Sequence, residues 1–280
     1  MKKSMKIITL AMTFVAAGAG AAMATYTSQI WIPSTDIQPF KVFHLDVDNY
    51  FRASAVSKET GIPGVRDPNI LDVGVLAGIL PFEKIQAEVG LDYYVLGQNP
   101  NDDHPLVGNF KVATPEDSLF KFSPAFAVGM YNIGPNNYEG PSNVGTPAFS
   151  LGRAAGITSG QNIVYGLVAR TLPAFGPVPS LGRISAGGYH GSQRALVDPN
   201  GHSANEGVLL SWDRTITELT DKLWMAVDYQ GGNNVDGAVS FGFGWNFSKN
   251  VQVIFGYDIW KEKQLAGNNT FTVQLDANYP

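Results

Sequence analysis

The sequence lacks cysteine and is poor in charged residues. None of its 280 residues is a cysteine, and only 15% are Asp, Glu, Lys or Arg. Without thiols the chain has no disulfide framework, no thiolate metal site and no cysteine nucleophile. Its four histidines are dispersed, so a histidine metal site is not indicated, and no cofactor is expected. The mean hydropathy of −0.03 excludes a bundle of transmembrane helices. The length suits one large all-β domain or two small ones.

The N-terminus has the pattern of a secretory signal. Three lysines among the first six residues precede an apolar run from Ile7 to Val15, and small residues end in Ala22-Met23-Ala24. This A-x-A pattern predicts that residues 1–24 are a cleaved signal peptide and that Thr25 begins the mature chain. Loss of three lysines changes the net charge from −5 to −8. Such an acidic chain argues against nucleic acid as a partner.

The stretch from Val235 to Pro280 contains three runs in which apolar and polar residues alternate. This period of two over about ten residues predicts strands with one apolar and one polar face. The apolar faces hold aromatic and branched residues, with Ile254 as an exception on the polar side. A soluble antiparallel sheet with one buried face is the alternative to a membrane barrel.

The same pattern continues upstream and predicts twelve strands. Residues 25–40 are irregular, because Pro33 and Pro39 prevent a continuous strand. The apolar side chains of this segment are expected either at a membrane interface or in the barrel mouth; they are Trp31, Ile32 and Phe40. The barrel occupies residues 41–280. Strand four is predicted at Asn109–Thr114, strand five at Leu119–Ile133 and strand seven at Gly182–Arg194.

The connections alternate between short and long over the whole chain. Short turns on one side and longer loops on the other are typical of a transmembrane β-barrel. Because lipid offers no water to a free sheet edge, the strands must close into a ring. We therefore predict an all-β fold, a closed antiparallel transmembrane β-barrel of about twelve strands. The longest connection, 134–160, either constricts the lumen or lies outside, and the sequence does not decide between them.

The polar phase of each strand predicts the residues that line the lumen. Acidic side chains dominate there, which favours cations or neutral polar solutes. Alternatively, the acids pair with the few basic residues and plug the lumen. The candidate pore-lining residues are Asp46, Asp48, Asp72, Glu88, Asp92, Lys111, Arg170, Arg183, Asp213, Asp228, Asp258 and Asp276.

One short motif points to catalysis. His190 and Ser192 are two residues apart, so on a continuing strand they would share the outward face. Outer-membrane phospholipases and lipid A deacylases carry a similar H-x-S pair. A histidine at a loop edge beside a turn serine explains the same residues, and we do not predict an enzyme.

The mature chain resembles Gram-negative outer-membrane β-barrels. The matching features are the signal, the alternating strands and the aromatic Tyr279 near the end, although Pro280 follows where such barrels usually end on the aromatic residue. Two segments, IWIPSTDIQPF and LPFEKIQAEVGLDYY, also resemble the sequences of a porin-like subgroup of these proteins. The resemblance implies the outer membrane, with its lipid and lipopolysaccharide and the barrel assembly machinery as partners, and small solutes as cargo.

Three functions follow from the sequence. The first is a channel for passive diffusion of small hydrophilic solutes, with a possible cation preference. The second is a non-conducting barrel that presents loops or anchors the envelope. The third is a lipid hydrolase using His190 and Ser192. The solute and the oligomeric state, monomer or trimer, stay open.

Overall fold

The structure is a computed structural model that describes residues 27–53, 69–95, 105–135, 159–176 and 179–279. The predicted signal peptide, its cleavage site and Pro280 lie outside these residues, as does most of the connection at 134–160. Among the residues described, no helix is long and apolar enough to cross a membrane.

In its described parts the chain forms twelve antiparallel strands and one short helix. The strands join in sequence order into a closed barrel, because β1 pairs with both β2 and β12. The elements are β1 Phe43–Arg52, β2 Ile70–Gly78, β3 Gln86–Val95, β4 Leu106–Thr114, β5 Ala125–Ile133, β6 Ile163–Leu172, β7 Gly182–His190, β8 Glu206–Thr215, β9 Leu223–Gln230, β10 Ala238–Asn246, β11 Val251–Trp260, α1 Lys263–Ala266 and β12 Thr270–Tyr279.

The seam between the first and last strands closes the ring. β1 and β12 pair from Phe43 opposite Tyr279 to Arg52 opposite Thr270, which leaves neither strand with a free edge. Asp46 lies opposite Asp276 in this register. The predicted closed barrel of the outer-membrane type is therefore confirmed as a fold.

The outer surface alternates as the sequence predicts. Each of the twelve strands carries at least one large apolar side chain that is exposed, such as Phe241 and Phe243 of β10 at 45% and 46%. The neighbours of these two residues, Ser240 and Gly242, face the interior, and Ser240 is fully buried. A barrel with an apolar outside and a polar inside is the arrangement that a membrane-spanning barrel requires.

Three strand boundaries and one short helix differ from the prediction. β4 begins at Leu106, earlier than expected, and β5 begins only at Ala125. A turn precedes β5, in which Asp117 and Phe122 have φ values of 59° and 67° that no strand permits. β7 ends at His190, and α1 was not expected.

The N-terminal segment lies inside the barrel over residues 27–39, whereas Phe40, which follows it, is 44% exposed. Ile30 and Ile32 are 1% and 0% exposed, although they belong to no strand. The segment joins β1 beside Gly78, where Lys41 donates its backbone N–H to the Gly78 carbonyl at 2.9 Å. A Cβ at residue 78 would lie 2.1 Å from the Pro39 carbonyl oxygen, so this close approach requires glycine.

Candidate functional site in the lumen

The N-terminal segment folds back on itself within the lumen. Ser34 donates its N–H to the Thr27 carbonyl at 3.0 Å, and Gln29 donates to Ile32 at 2.7 Å. These two bonds close a tight turn whose tip is Ile30 and Trp31. The turn satisfies its own backbone groups only in part, so the barrel wall must supply partners for the rest.

Lumen side chains supply those partners. Asp228 accepts the backbone N–H groups of Ile30 and Trp31 at 2.7 and 3.0 Å. Gln274 donates to the Ile30 carbonyl at 2.7 Å, and the Gln29 side chain donates to Asp213 at 3.0 Å. Because β8, β9 and β12 provide these contacts, the tip is held against that side of the barrel.

Two ion-pair groups fix the segment on the side where the short turns lie. Arg183 donates to both carboxylate oxygens of Asp36 at 2.7 Å and to Asp213 at 2.9 Å. Lys111 lies 2.9 Å from Glu88, and both side chains are at most 4% exposed. Lys111 also donates to the Thr27 carbonyl at 2.9 Å, while Glu88 accepts the Gln38 N–H at 2.8 Å. Two basic residues of the lumen, Arg183 and Lys111, therefore hold the segment.

Apolar contacts at the tip explain an irregularity in the sequence. Ile254 faces inward, where it packs with Trp224 and Ala226 of β9 against Ile30. Full burial of one such isoleucine contributes about 1.5–3 kcal/mol. Ile254 thus interrupts the polar face of β11 because it meets the inserted segment.

Trp31 lies among aromatic and polar groups at the other end of the lumen. Its ring makes edge contacts with Tyr50 and Trp260, at centroid distances of 5.5 and 4.8 Å. Its indole N–H donates to the Asp236 carbonyl at 3.0 Å. The tip therefore reaches the level of the loop between β9 and β10.

A cavity of about 230 Å³ remains between the N-terminal segment and the opposite wall. β1 to β5 supply most of that wall, and the segment supplies Ser28, Ile30 and Trp31. The ionisable residues that line the cavity are Asp46, Asp48, Arg52, Asp72, Glu88, Asp92, Lys111 and Asp236. Since Lys111 is paired with Glu88, the remaining wall carries an excess of carboxylates.

The structure brings together about half of the predicted pore-lining residues. Asp46, Asp48, Asp72, Glu88, Asp92 and Lys111 line the cavity. Arg183, Asp213 and Asp228 face the lumen but bind the N-terminal segment. Asp276 lies 3.2 Å from His44, and Asp258 accepts from the Thr270 hydroxyl at 2.7 Å.

Arg170 is placed elsewhere than expected. It lies near the end of β6, opposite the exposed Ile184, and its guanidinium contacts Asp117 and Glu116 in the turn before β5. The strand β6 is apolar on both faces, so its polar phase cannot be identified from the sequence. Arg170 is a rim residue and not part of the lumen wall.

Sequence reasoning missed Asp236, which lies in the loop between β9 and β10. Its side chain is 5% exposed and accepts from the Gln161 amide at 3.0 Å. Burial raises the pKa of Asp236 to about 6, although the Gln161 bond opposes this shift. A buried carboxyl in a loop has no periodicity that could have revealed it.

The His190–Ser192 motif does not lie on one strand face, because β7 ends at His190. Ser192 begins a turn in which its carbonyl accepts the Leu196 N–H at 2.9 Å, and its hydroxyl accepts the Arg194 N–H at 3.3 Å. His190 Nε2 lies 3.3 Å from the Asn205 amide nitrogen, and its ring is 69% exposed. Leu196, whose N–H closes this turn, is fully buried.

No protein-family model matches the chain, and no curated protein matches it in sequence. Similar solved structures include a KdgM porin, 5% identical with a TM-score of 0.44, covering 85% of this chain and 98% of that one. The COG4313 outer membrane channel from Pseudomonas putida F1 is 11% identical with a TM-score of 0.45, covering 87% and 96%. Outer membrane phospholipase A from Escherichia coli is 8% identical with a TM-score of 0.36, covering 93% and 98%. At these values the likenesses carry no argument about function.

Proposed function

We propose that this protein is an outer-membrane channel for small hydrophilic solutes, with a preference for cations. The observation that carries the proposal is the carboxylate-lined cavity of about 230 Å³ that the N-terminal segment leaves beside β1 to β5. A side chain-filled barrel has no such space, whereas a channel needs one.

The sign of the wall supports the preference for cations. Asp46, Asp48, Asp72 and Asp92 face the cavity on three adjacent strands. A narrow passage with low-dielectric walls concentrates the field of such charges and attracts ions of opposite sign. We accordingly place the conducting path along this wall and not through the barrel centre.

The proposed location is the outer membrane of a Gram-negative cell. The apolar exposed side chains on all twelve strands support contact with lipid. Outer-membrane lipid and lipopolysaccharide, the barrel assembly machinery and export through the general secretory route remain part of this proposal.

Electrophysiology of the purified barrel in planar bilayers tests the channel. We expect discrete single-channel steps and a reversal potential in a salt gradient that favours cations over anions. The Asp48→Asn/Asp72→Asn variant should lower this preference, while Asp221→Asn, in an exposed turn, should leave it unchanged. A correctly folded barrel without conductance would refute the proposal.

A second candidate is a barrel that the N-terminal segment keeps closed. Four hydrogen bonds from the side chains of Arg183 and Lys111 to that segment favour the closed form. Deletion of residues 28–38 discriminates between the candidates, with heat-modifiable gel migration as the check of folding. A silent full-length barrel and a conducting deletion variant would support the closed form over the open channel.

A further inference from the structure

We propose that the cavity contains a calcium site formed by Asp46, Asp72 and Asp92. This site does not depend on the proposed channel function, because it would exist in a conducting or in a closed barrel. It also explains a set of buried carboxylate oxygens that the N-terminal segment does not use.

Three adjacent strands bring the carboxylates together. Asp46 of β1 and Asp92 of β3 both lie opposite Gly74 of β2, and Asp72 lies two residues from Gly74 on the same strand. One oxygen from each of the three aspartates lies within 4.8 Å of the others. Two ligands on opposite sides of a Ca²⁺ ion have a similar separation, since each Ca–O bond is about 2.3–2.6 Å.

Gly74 makes this convergence possible. A Cβ at residue 74 would lie 2.3 Å from Asp46 Oδ1 and 2.5 Å from Asp92 Oδ1. Both carboxylates therefore lean over the glycine backbone toward each other, although like charges repel. Any larger residue at 74 would force them apart.

Basic side chains do not neutralise the group. Within the described parts of the chain, no lysine or arginine lies within 4.0 Å of Asp48, Asp72 or Asp92. His44 lies 3.2 Å from Asp276 and only 4.0 Å from Asp46. Asn109 donates one hydrogen bond to Asp92. These carboxylates thus lie close together without a lysine or arginine paired to them, which is costly without a further positive charge.

Carboxylate oxygens without partners point to the missing ligand. Oδ1 of Asp48 and Oδ1 of Asp72 are inaccessible to solvent and have no hydrogen-bond partner among the residues that the structure describes. The same holds for Oδ2 of Asp276, which is 8% exposed and opposite Asp46, and for Oδ2 of Asp236, which is 5% exposed and lines the cavity. Buried acceptors of this kind are rare unless an ion or water satisfies them.

The donor set favours calcium over other metals. Every candidate ligand is a carboxylate or amide oxygen, the donor type that hard divalent cations bind, and His44 is already engaged by Asp276 and Asn278. Calcium accepts six to eight oxygens in irregular geometry, whereas magnesium requires a near-ideal octahedron. Asp48 lines the same cavity, two residues from Asp46 on the same face of β1, and is the further carboxylate available to such an irregular shell.

Calorimetric titration of the metal-stripped barrel with CaCl₂ tests this site. We expect one saturable site in the wild type, and at least tenfold weaker binding in Asp72→Asn and in Gly74→Ala. Asp221→Asn, at an exposed turn, should bind calcium as the wild type does. Equal binding by the wild type and Asp72→Asn would overturn the proposal, as would the absence of saturable binding.

A second measurement covers the case in which one variant folds poorly. Trp31 lines the same cavity, so Tb³⁺ bound at the aspartates should luminesce when tryptophan is excited. Calcium should displace this signal with the affinity found by calorimetry, and Asp72→Asn should abolish it. Because no lysine or arginine of the described residues pairs with Asp72, this variant is expected to keep the heat-modifiable migration of the folded barrel. A Tb³⁺ signal that survives in folded Asp72→Asn would locate the metal elsewhere.

Discussion

Replacement of Lys111 by methionine should destabilise the barrel strongly. The Lys111–Glu88 pair is at most 4% exposed, with its charged atoms 2.9 Å apart. Removal of one partner leaves the other charge buried, a change that typically costs about 3–5 kcal/mol. Glu88 keeps the Gln38 N–H at 2.8 Å, so we expect Lys111→Met to lower the free energy of unfolding by about 3 kcal/mol, at the lower end of that range.

The double variant Lys111→Met/Glu88→Gln isolates the charge. Glutamine retains an oxygen that can accept the Gln38 N–H, but it leaves no uncompensated charge. Replacing both members of a buried pair is often close to neutral, so we expect this variant to lie within about 1 kcal/mol of the wild type.

Urea unfolding in lipid vesicles, followed by tryptophan fluorescence, measures these differences. Arg214→Met, near the end of β8, is the matched control, because its partner Glu218 lies in an exposed turn and water screens the pair, so the free energy of unfolding should change little. The reasoning is refuted if Lys111→Met costs less than about 1 kcal/mol, or if the double variant is no more stable than the single one.

Three further predictions concern the outer face, the loop carboxyl and the serine. Leu210→Arg, in the middle of β8 with 46% exposure, should cost about 2–4 kcal/mol in vesicles, whereas Leu219→Arg, in the turn after β8, should cost about 0–1 kcal/mol. Equal costs would contradict a lipid-facing belt. The pKa of Asp236 is about 6 in the folded protein and 3.8 in the unfolded chain. Its protonated side chain therefore contributes fully to stability below pH 3.8, and this contribution is lost as the pH rises through 6. Urea unfolding should therefore show that the free energy of unfolding of Asp236→Asn, relative to that of the wild type, rises by about 2–3 kcal/mol between pH 4 and pH 7. A difference between the two proteins that does not change with pH would contradict this assignment. Ser192→Ala should leave phospholipid turnover in reconstituted vesicles unchanged, and a loss of turnover would support the hydrolase.

Several features of the site follow from alternation alone. The polar phase of β1 and β3 predicts an inward position for Asp46, Asp48, Glu88 and Asp92, which line the cavity, because a strand directs alternate side chains to opposite faces. The lumen position predicted for Arg170 was wrong, because its strand is apolar on both faces and alternation does not identify the inward side. The shared face predicted for His190 and Ser192 was wrong, because β7 ends at His190, before Ser192.

The sequence by itself determined the closed barrel, with its apolar outside and its polar inside. A two-residue period specifies the two faces of each strand, and the lack of water in lipid requires the ring to close. It did not determine that residues 27–39 occupy the lumen. That segment has no period, and its partners are distant in the chain, as Ile30 and Asp228 are separated by 198 residues.

Only the tertiary structure decided which carboxylates act together. The strand register sets Asp46 and Asp92 on either side of Gly74, and the absence of a Cβ there lets their oxygens converge. The side chains of β8, β9 and β12 bind the N-terminal segment, which leaves the cavity against β1 to β5. Since contacts of this kind join residues far apart in sequence, local patterns cannot specify them.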